Sequence, residues 1–428
     1  MIKKDIRGKK RVIGWIILIL GVILYLHFQV LTPMKRLHSN DFKHLYLGAK
    51  ILRQGENPYN DQRFFYEATR HGFPGVLPYV YLPFTGLILS PLTFFKFRHA
   101  ALIFFFMNHL LIAASIFLIF IKSDKQYTIV RVGLWIFYLA LFYPLTRNLT
   151  AGQLNIVLLF CFICVWRLIM KKKNVIAGIV SAFAALFKLS PGILYLYFLW
   201  RKRLGLFLKA CMAGTALLLI SIIIFGPGIH LNFIPVMKQM SYGKSTWEEH
   251  RQDFYRDPAN QSFNSFFHHI LTVNPETEPW IQTSQTTANR ITILMTVIIT
   301  ALTLMATFPG NKAAIDNKER EKISYSLFIM LSLLIPSLLW DHYFVQALLP
   351  IIFLTGYMEE KGKKLWCIPL IAALIFLAAP WNFWSGKFRR SAGILLMSVK
   401  LWAGLVIYIL LLISAFEMRF RHSPEVEE

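Results

Sequence analysis

Long apolar runs separated by short charged clusters dominate the chain. Runs such as Val12–Leu31 and Ala101–Ile121 reach the roughly 20 apolar residues that a helix needs to cross about 30 Å of hydrocarbon. The pattern predicts an all-α polytopic membrane protein that forms one integral membrane domain over residues 1–428, with about 11–13 transmembrane helices. The predicted spans are Val12–Leu31, Tyr79–Phe95, Ala101–Ile121, Ile129–Leu145, Leu154–Ile169, Val175–Leu199, Leu204–Phe225, Ile291–Phe308, Ile323–Trp340, Tyr343–Tyr357, Leu365–Ala379 and Gly393–Phe416.

Composition supports this class and removes a competing one. The chain is 56% hydrophobic and only 16% charged, which is too apolar for a soluble protein of this length. The formal net charge of +24 raises the question of nucleic-acid binding. However, the Lys and Arg residues gather in short clusters at the ends of the apolar runs, as the cytoplasmic flanks of membrane spans do. Membrane lipids are therefore the expected partners of these charges, and nucleic acid is not.

Charge placement also predicts the orientation in the cytoplasmic (inner) membrane. The first span follows a basic segment without a small-residue cleavage pattern, so we expect a retained helix with its N-terminus inside. Residues 32–78 and 226–290 then form two larger outward-facing loops. The positive-inside rule would place Lys122, Lys125 and Lys171–Lys173 in the cytoplasm. They can lie there if Val175–Leu199 is a short hairpin or if a neighbouring segment is re-entrant. Both this possibility and a single interrupted helix remain open.

The first outer loop contains a helix with an acid at its start. Apolar residues fall at helical spacing at Phe42, Leu45, Ala49 and Leu52, which predicts an amphipathic helix lying on the membrane. Asp41 is its N-terminal residue. Asp41 and the preceding Ser39 and Asn40 are all favoured N-cap residues, so capping is an alternative to a role of Asp41 in catalysis.

Several short patterns recur in a recognisable order. They are Asp41 with Tyr46, Ala49, Gly55 and Asn57-Pro58-Tyr59; Tyr79-Val80-Tyr81-Leu82-Pro83 with Ser90-Pro91; Gly152-Gln153-Leu154-Asn155; Phe187-Lys188-Leu189-Ser190-Pro191 with Trp200-Arg201-Lys202-Arg203; Asn260-Gln261-Ser262-Phe263; and Trp340-Asp341-His342. Together they resemble the family 87 glycosyltransferases, which are membrane mannosyltransferases of the GT-C fold that use polyprenyl-phosphate mannose.

The resemblance implies a GT-C type bundle with an outward-facing active site. An Asp in the first outer loop acts as catalytic base in such enzymes, and Asp41 matches that position. The donor would be a hexose, by default mannose, on a polyprenyl phosphate. The acceptor would be a hydroxyl of a glycolipid or cell-envelope glycan, and transfer would proceed with inversion.

The residues themselves allow this chemistry. A carboxylate can take the proton of the acceptor hydroxyl, and the departing lipid phosphate needs positive or hydrogen-bonding partners. The candidates for the phosphate are His342, Lys188, His44 and Arg147, with Asp341 beside His342 in the donor site. As alternatives, Asp341 caps the following helix and Lys188 extends to the head-group region.

The remaining polar candidates are assigned to sugar binding, each with a structural alternative. Gln153 and the loop residues Asn260 and Gln261 would place the sugars, although Gln153 would equally serve to join helices and the loop residues would equally be solvated. Tryptophans near the predicted interfaces are expected to form an interfacial belt, with one candidate for sugar stacking among them: Trp247, Trp280, Trp381 and Trp384.

No zinc-ligand pattern or DxD-like metal motif is present, so neither a metal nor a cofactor is predicted. A transporter or flippase of lipid-linked sugars is the rival function, because a polytopic bundle with buried polar residues suits it as well. Against it, the chain shows no repeated halves. A non-catalytic subunit of an envelope-assembly complex is a third possibility, in which Asp41 would be dispensable.

Overall fold

The computed structural model describes residues 2–37, 41–73, 75–121, 128–244, 254–309, 317–381 and 383–420, with backbone alone at 2–10, 121 and 420. These residues are folded almost entirely into helices, which confirms the all-α polytopic class. The helices of the N-terminal half are α1 Ile2–Tyr25, α2 Phe42–Arg53, α3 Asp61–Arg70, α4 Pro83–Leu89, α5 Phe97–Ile116, α6 Ile129–Leu141, α7 Tyr143–Ala151, α8 Asn155–Met170, α9 Asn174–Phe187, α10 Ile193–Trp200 and α11 Leu204–Phe225.

The C-terminal half continues in the same way. Its helices are α12 Pro227–Gln239, α13 Phe263–Leu271, α14 Gln285–Ala306, α15 Lys318–Leu334, α16 Leu348–Lys361, α17 Cys367–Ala378, α18 Gly393–Met397 and α19 Val399–Phe420. Short 3-10 helices at Ser90–Phe94, Ser190–Gly192 and Asp341–Ala347 mark breaks between them, and π-helical turns at Leu26–Leu31 and Phe117–Ile121 extend α1 and α5.

Fewer helices than predicted meet the requirements for a span. Among the described residues, five helices are long and apolar enough to cross a bilayer, or six if the bent pair α6 and α7 counts as one span. The prediction of about 11–13 spans is not met by this criterion. Several predicted spans instead form apolar helices of 10–17 residues, such as α8 and α9. Such helices are only about half to four-fifths of a full span at 1.5 Å per residue.

The bundle has two chemically different ends. We call the end that holds Arg131, Arg201, Arg203, Glu321 and Glu359 the basic end. The N-terminal half of α1 lies there, because Gly14 packs against the first turn of α6, and Arg131 Nη1 lies 2.5 Å from Glu359 Oε2 at the end of α16. The opposite end is the site end, which holds Asp41, Gln153, Lys188 and Asp341.

The segment 79–95, predicted as a span, does not cross the bundle. Its helix α4 and the 3-10 turn Ser90–Phe94 both pack on α2. The hydroxyl of Tyr46 in α2 donates to the carbonyl of Phe95 at the end of the segment (2.9 Å), while the ring of Tyr79 at its start lies against Gly48 of the same helix. Both termini of the segment therefore stay at the site end. Pro83–Gly86 and Leu89 are buried against protein, whereas Ile88, Phe94 and Phe95 are exposed.

This arrangement resolves the topology between residues 129 and 201. Helix α9 packs by Gly178 against Lys209 and Ala210 near the start of α11, and it ends beside Lys188 at the site end. After the break at Ser190–Gly192, α10 returns and places Arg201 on Glu321 at the basic end. Val175–Leu199 is thus a hairpin. Lys171–Lys173 follow α8 at the basic end, whereas Lys122 and Lys125 lie outside the described residues.

Helix α2 forms as predicted, but its surroundings differ from the prediction. Phe42, Leu45 and Ala49 are fully buried and Leu52 nearly so, and five further residues of the helix are buried as well. A helix lying on a membrane would keep a polar face in water. Here α3, α4 and α5 cover α2 on several sides, so it is a buried scaffold element that fixes Asp41.

Candidate active site

Asp41 stands at the N-terminus of α2 with its side chain turned away from the helix. It has helical backbone angles (φ −71°, ψ −8°) and its carboxylate makes no capping hydrogen bond. The residue is exposed, and the side-chain contact of its carboxylate is with Gln153, whose Nε2 lies 3.5 Å from Oδ2. The capping alternative is therefore wrong for Asp41, while Ser39 and Asn40 lie outside the described residues. The carboxylate is open to an incoming group.

Gln153 is held rigidly opposite this carboxylate. Gly152 ends α7 in the left-handed region (φ +66°), where a side chain would be strained, and the turn brings Gln153 to the site end. The backbone carbonyl of Asn148 accepts from the Gln153 N–H (3.0 Å), and the side-chain amide of Asn148 donates to the Gln153 carbonyl (3.1 Å). The Tyr81 hydroxyl donates to Gln153 Oε1 (3.3 Å), which directs the amide N–H toward Asp41.

His44 lies one helical turn after Asp41 and faces the interior. Its ring is buried and stacks on Tyr81 with 5.8 Å between ring centroids. Burial lowers the pKa of His44 to about 4, against the opposing effect of the Asp41 carboxylate, so the imidazole is neutral at pH 7. A neutral imidazole cannot supply positive charge to a phosphate. Its contribution at this place is to pack Tyr81 and thereby to hold Gln153.

Lys188 lies in the break after α9 and ends a chain of buried amides. Its Nζ donates to Asn155 Oδ1 (3.2 Å), an oxygen that also accepts from Gln346 Nε2 (3.0 Å). The ammonium lies 3.4 Å from the centroid of the Tyr343 ring, within the range of a cation–π interaction. Asn155 in turn donates to Asn148 (3.0 Å), which connects this cation to the Gln153 turn.

A cavity of about 280 Å³ opens next to Lys188. Its polar wall is formed by Tyr81, Lys188, Ser190, Ser337 and Tyr343, and its apolar wall by Val80, Leu82, Leu189, Phe233, Met237, Met240, Pro336 and Leu338. Leu189 and Met237 are each 45% exposed on the outside of the protein, so the rim of the cavity is apolar. A cavity with a partly exposed lysine in its wall and an apolar rim suits an amphiphile with an anionic head.

Asp341 and His342 form a third group at the site end. Arg147 Nε lies 3.5 Å from Asp341 Oδ2, and Asp341 Oδ1 accepts the His342 backbone N–H (2.7 Å). Burial raises the pKa of Asp341, but His342, Arg147 and Lys400 outweigh it and hold that pKa below its usual range. Burial also lowers the pKa of His342. His342 Nδ1 lies 3.4 Å from Asp341 Oδ1, and neither ring nitrogen makes a hydrogen bond of good geometry within the described residues.

Asn260 and Gln261 are placed in the wall behind this group. The Gln261 backbone N–H donates to the Leu339 carbonyl (2.7 Å), and the Leu339 N–H donates to Asn260 Oδ1 (2.9 Å). Gln261 Nε2 donates to the Met397 carbonyl (2.9 Å), and both side chains are buried. These contacts fix the segment that leads into Asp341. The sugar contact of Asn260 and Gln261 stays a prediction.

Tyr343 is the residue of the site that the sequence analysis missed. It lines the cavity and covers the Lys188 ammonium. Its sequence signal is its position directly after Asp341-His342. An aromatic residue beside an ionisable pair at the end of an apolar run is also typical of an interfacial belt, so the sequence alone does not separate the two roles.

The fold and the cavity define a polytopic membrane protein with an apolar-rimmed cavity at one end of its bundle. Within the described residues, no group of three or more His, Cys, Asp or Glu side chains is arranged to hold a metal ion.

A family model for glycosyltransferase family 87 matches residues 79–337, more than half of the chain, and the chain belongs to that family. It is therefore a membrane glycosyltransferase. No curated protein and no solved structure matches the chain.

The range matched by the family model covers only part of the candidate site. It includes Gln153, Lys188, Asn260 and Gln261, and it ends before Asp341 and His342. Asp41 and His44 precede it. The family match thus supports the enzyme class and covers the region around Lys188. The role of Asp41 is supported by its geometry alone and needs an experiment.

Proposed function

We propose that the enzyme transfers a hexose, with mannose as the first sugar to test, from a polyprenyl phosphate to a hydroxyl of a glycolipid or cell-envelope glycan. The observation that carries this proposal is the cavity beside Lys188, because its walls match both halves of such a donor. The apolar wall and rim suit the prenyl chain, and the ammonium suits the phosphate. In the membrane, the site end would face outward and the basic end would face the cytoplasm.

Asp41 is the proposed catalytic base. The acceptor hydroxyl attacks the anomeric carbon and gives its proton to the Asp41 carboxylate as the new C–O bond forms. The bond between the anomeric carbon and the phosphate oxygen breaks at the opposite face, which inverts the configuration. Gln153 orients the carboxylate by its 3.5 Å contact. Because Asp41 is exposed and is not used as a helix cap, the acceptor can reach it from the outside.

Lys188 and His342 are the proposed partners of the leaving phosphate. The departing polyprenyl phosphate is an anion, so a fixed positive charge stabilises it as the bond breaks. Lys188 is already positioned by Asn155 and Tyr343. His342 is adjacent to Tyr343, and its ring nitrogens make no hydrogen bond within the described residues, which leaves a donor for a phosphate oxygen.

The test uses purified protein in lipid nanodiscs with polyprenyl-phosphate-linked radiolabelled mannose and a panel of lipid acceptors. We expect a radiolabelled product from wild type and a loss of about 10²–10⁴-fold in Asp41→Asn, the contribution of a positioned base. Glu56→Gln, an exposed acid of the same loop that pairs with Arg63, is the matched control and should retain full transfer. Equal transfer by Asp41→Asn and wild type would refute the assignment of the base.

A separate arm addresses the rival function. The protein is reconstituted into liposomes with the labelled donor in one leaflet, and no acceptor is added. Movement of the donor between leaflets without formation of product in the transfer assay would favour a flippase. Product formation without such movement supports the transferase.

A further inference from the structure

A second cavity, of about 220 Å³, lies at the basic end of the bundle. It is close in size to the donor cavity beside Lys188, which has about 280 Å³, and the two share no lining residue. Its rim carries three carboxylates and four cations, and the cations are Arg131, Arg167, Lys318 and Lys322. These charged side chains are all at least partly exposed, whereas Ile163, Trp166 and Leu349 form a buried apolar floor. We call this space the basic-end cavity.

Helix α6 leaves one of its faces open towards this cavity. It packs mainly on α1, and the two backbones come so close that a methyl group on Gly133 would lie 3.1 Å from the Gly14 carbonyl oxygen. Arg131, Trp135 and Leu139 recur every four residues and so share another face of α6. Arg131 lines the basic-end cavity, and Trp135 and Leu139 line a groove next to it. The pair of α1 and α6 therefore stands off from α5 and α8.

The groove continues from the floor of the basic-end cavity towards the middle of the bundle. Ile119, Ile163 and Ile352 line both spaces, so the cavity and the groove are contiguous. The remaining lining of the groove is almost entirely apolar, and the Ser115 hydroxyl in it donates to the Leu111 carbonyl of its own helix (2.7 Å). The groove is narrow, with about 30 Å³, so a hydrocarbon chain would lie along it without being enclosed.

The ion pairs at the rim leave the cations available to a ligand. Arg131 Nη1 lies 2.5 Å from Glu359 Oε2, and Lys322 Nζ lies 2.5 Å from Glu319 Oε1. The Glu359 side chain is 60% exposed and the Glu319 side chain 30% exposed. Exposed pairs of this kind contribute little to stability, so a phosphate can join the cations at small cost. A basic pocket between membrane helices that adjoins an apolar groove suits the head group of a lipid.

Gly356 keeps the basic-end cavity open. It lies inside α16, where an alanine or leucine would favour the helix more than glycine does. A methyl group at this position would meet Arg131 Nη2 at 3.8 Å and no other atom of the described residues within 4 Å. The backbone therefore has room for a side chain at Gly356, and that side chain would project into the cavity beside Arg131.

We propose that the basic-end cavity binds the phosphate head of a membrane glycerophospholipid. Arg131, Arg167 and Lys322 surround the phosphate, and the acyl chains lie along the groove between α5 and α6. The lipid fills the gap beside the pair of α1 and α6 and stabilises its association with the rest of the bundle. This lipid site does not depend on the proposed glycosyl transfer.

Native mass spectrometry of the full chain in detergent tests the ligand. The protein is titrated with dioleoylphosphatidylglycerol, and the dissociation constant of the first bound molecule is measured. We expect dioleoylglycerol, which has the same chains without the phosphate, and glycerol 3-phosphate, which has the phosphate without the chains, each to bind at least about tenfold more weakly. Equal binding of dioleoylglycerol would show that the phosphate is not recognised. Equal binding of glycerol 3-phosphate would show a site for free phosphate. Either result would overturn the proposal.

Gly356→Leu tests the place of binding. The leucine side chain occupies the cavity, so the dissociation constant of the phospholipid should rise at least about tenfold. Without added lipid, the unfolding temperature should be no lower than that of wild type, because leucine favours the helix. Gly205→Leu in the first turn of α11 is the matched control, since a side chain there meets open space outside both cavities. Wild-type binding by a folded Gly356→Leu would refute the site.

Lys322→Gln tests the charge without filling the cavity. Removal of one cation beside a lipid phosphate should weaken binding about fivefold. Lys209→Gln, which removes an exposed lysine of α11, should bind the phospholipid as wild type does. Added phospholipid should also raise the unfolding temperature of wild type and of Lys209→Gln more than that of Lys322→Gln. Equal lipid binding by Lys322→Gln and Lys209→Gln would contradict the proposed contact with the phosphate.

Discussion

Two buried carboxylates, one at each end of the bundle, differ in how completely they are hydrogen-bonded. At the basic end, Glu321 is 1% exposed, and its oxygens accept from Arg201 Nη2 (2.6 Å), Arg203 Nη2 (2.9 Å) and the Tyr197 hydroxyl. At the site end, Asp341 Oδ2 and both ring nitrogens of His342 lack hydrogen-bond partners within the described residues. The first arrangement is complete without a ligand, and the second is not.

This difference separates structural charges from functional ones. A buried carboxylate that is fully paired holds helices together, and its removal leaves the partner charges stranded. Unpaired buried polar groups cost free energy, and they concentrate where a ligand completes them. We therefore expect substitutions at the basic end to affect folding, and substitutions at the site end to affect transfer.

The largest effect on stability is expected for Glu321→Gln at the basic end. Loss of this charge leaves Arg201, which is fully buried, without its counter-ion, and we expect a loss of about 3–5 kcal/mol in stability. Thermal and urea unfolding of the purified protein measure it. Glu359→Gln removes a partly exposed pair and should cost less than about 1 kcal/mol. If Glu321→Gln is as stable as wild type, the cluster does not have the structural role given to it here.

A pH experiment examines the scaffold at the site end. The pKa of His44 is lowered by burial from 6.5 to about 4, so the unfolded chain binds the proton first as the pH falls. Stability should therefore decline between about pH 6.5 and pH 4, by about 3 kcal/mol in total at about 1.4 kcal/mol per pH unit. His44→Phe, which keeps a ring against Tyr81 and cannot titrate, should lose correspondingly less over this range.

The matched control for that titration is His99→Gln, which changes an exposed histidine. Its unfolding curves from pH 7 to pH 4 should follow those of wild type. An identical pH dependence of His44→Phe and wild type would show that His44 does not cause the decline.

Lys188→Met tests the charge in the donor cavity. The substitution keeps an unbranched chain of similar length but removes the cation proposed to stabilise the leaving phosphate, and we expect the transfer rate to fall about hundredfold. Stability should change little. Lys209→Met, an exposed lysine of α11, is the control that should retain the rate. A fall in stability comparable with that of Glu321→Gln would place Lys188 among the structural charges instead.

Gln153→Leu should have the smallest effect. Gln153 is a positioning residue, because it acts through Asp41 by one 3.5 Å contact, and its loss should lower kcat about tenfold. The KM for the donor and the unfolding temperature should remain those of wild type. A rise in donor KM with kcat unchanged would mean that Gln153 contacts the substrate directly.

Sequence patterns were sufficient for the class and for the existence of the helix that follows Asp41, but not for its burial. The all-α polytopic architecture follows from the long apolar runs, and helix α2 follows from the spacing of Phe42, Leu45, Ala49 and Leu52. The same patterns failed at residues 79–95. An apolar run has the same composition whether it crosses the membrane or packs along a neighbouring helix, and the contacts of Tyr46 and Gly48 show that the second holds here.

The site was predicted in part, because single residues do not reveal their partners. Asp41 and Lys188 lie at the same end of the bundle, and their catalytic roles stay predictions. Amides serve both as sugar ligands and as structural links. Here the side chain of Asn260 accepts from the Leu339 N–H, and that of Gln261 donates to the Met397 carbonyl. Tyr343 gains its place in the cavity only when α9 and the Asp341–Ala347 turn meet.

The proposed donor site is best tested by a structure of the enzyme with bound polyprenyl phosphate in a nanodisc. We predict a phosphate oxygen within about 3 Å of Lys188 Nζ and the prenyl chain along Phe233 and Met237. The basic end also has a cavity, lined in part by Arg131, Arg167, Lys318 and Lys322. A polyprenyl phosphate bound there, with Lys188 still donating to Asn155 alone, would show that the donor does not bind beside Lys188.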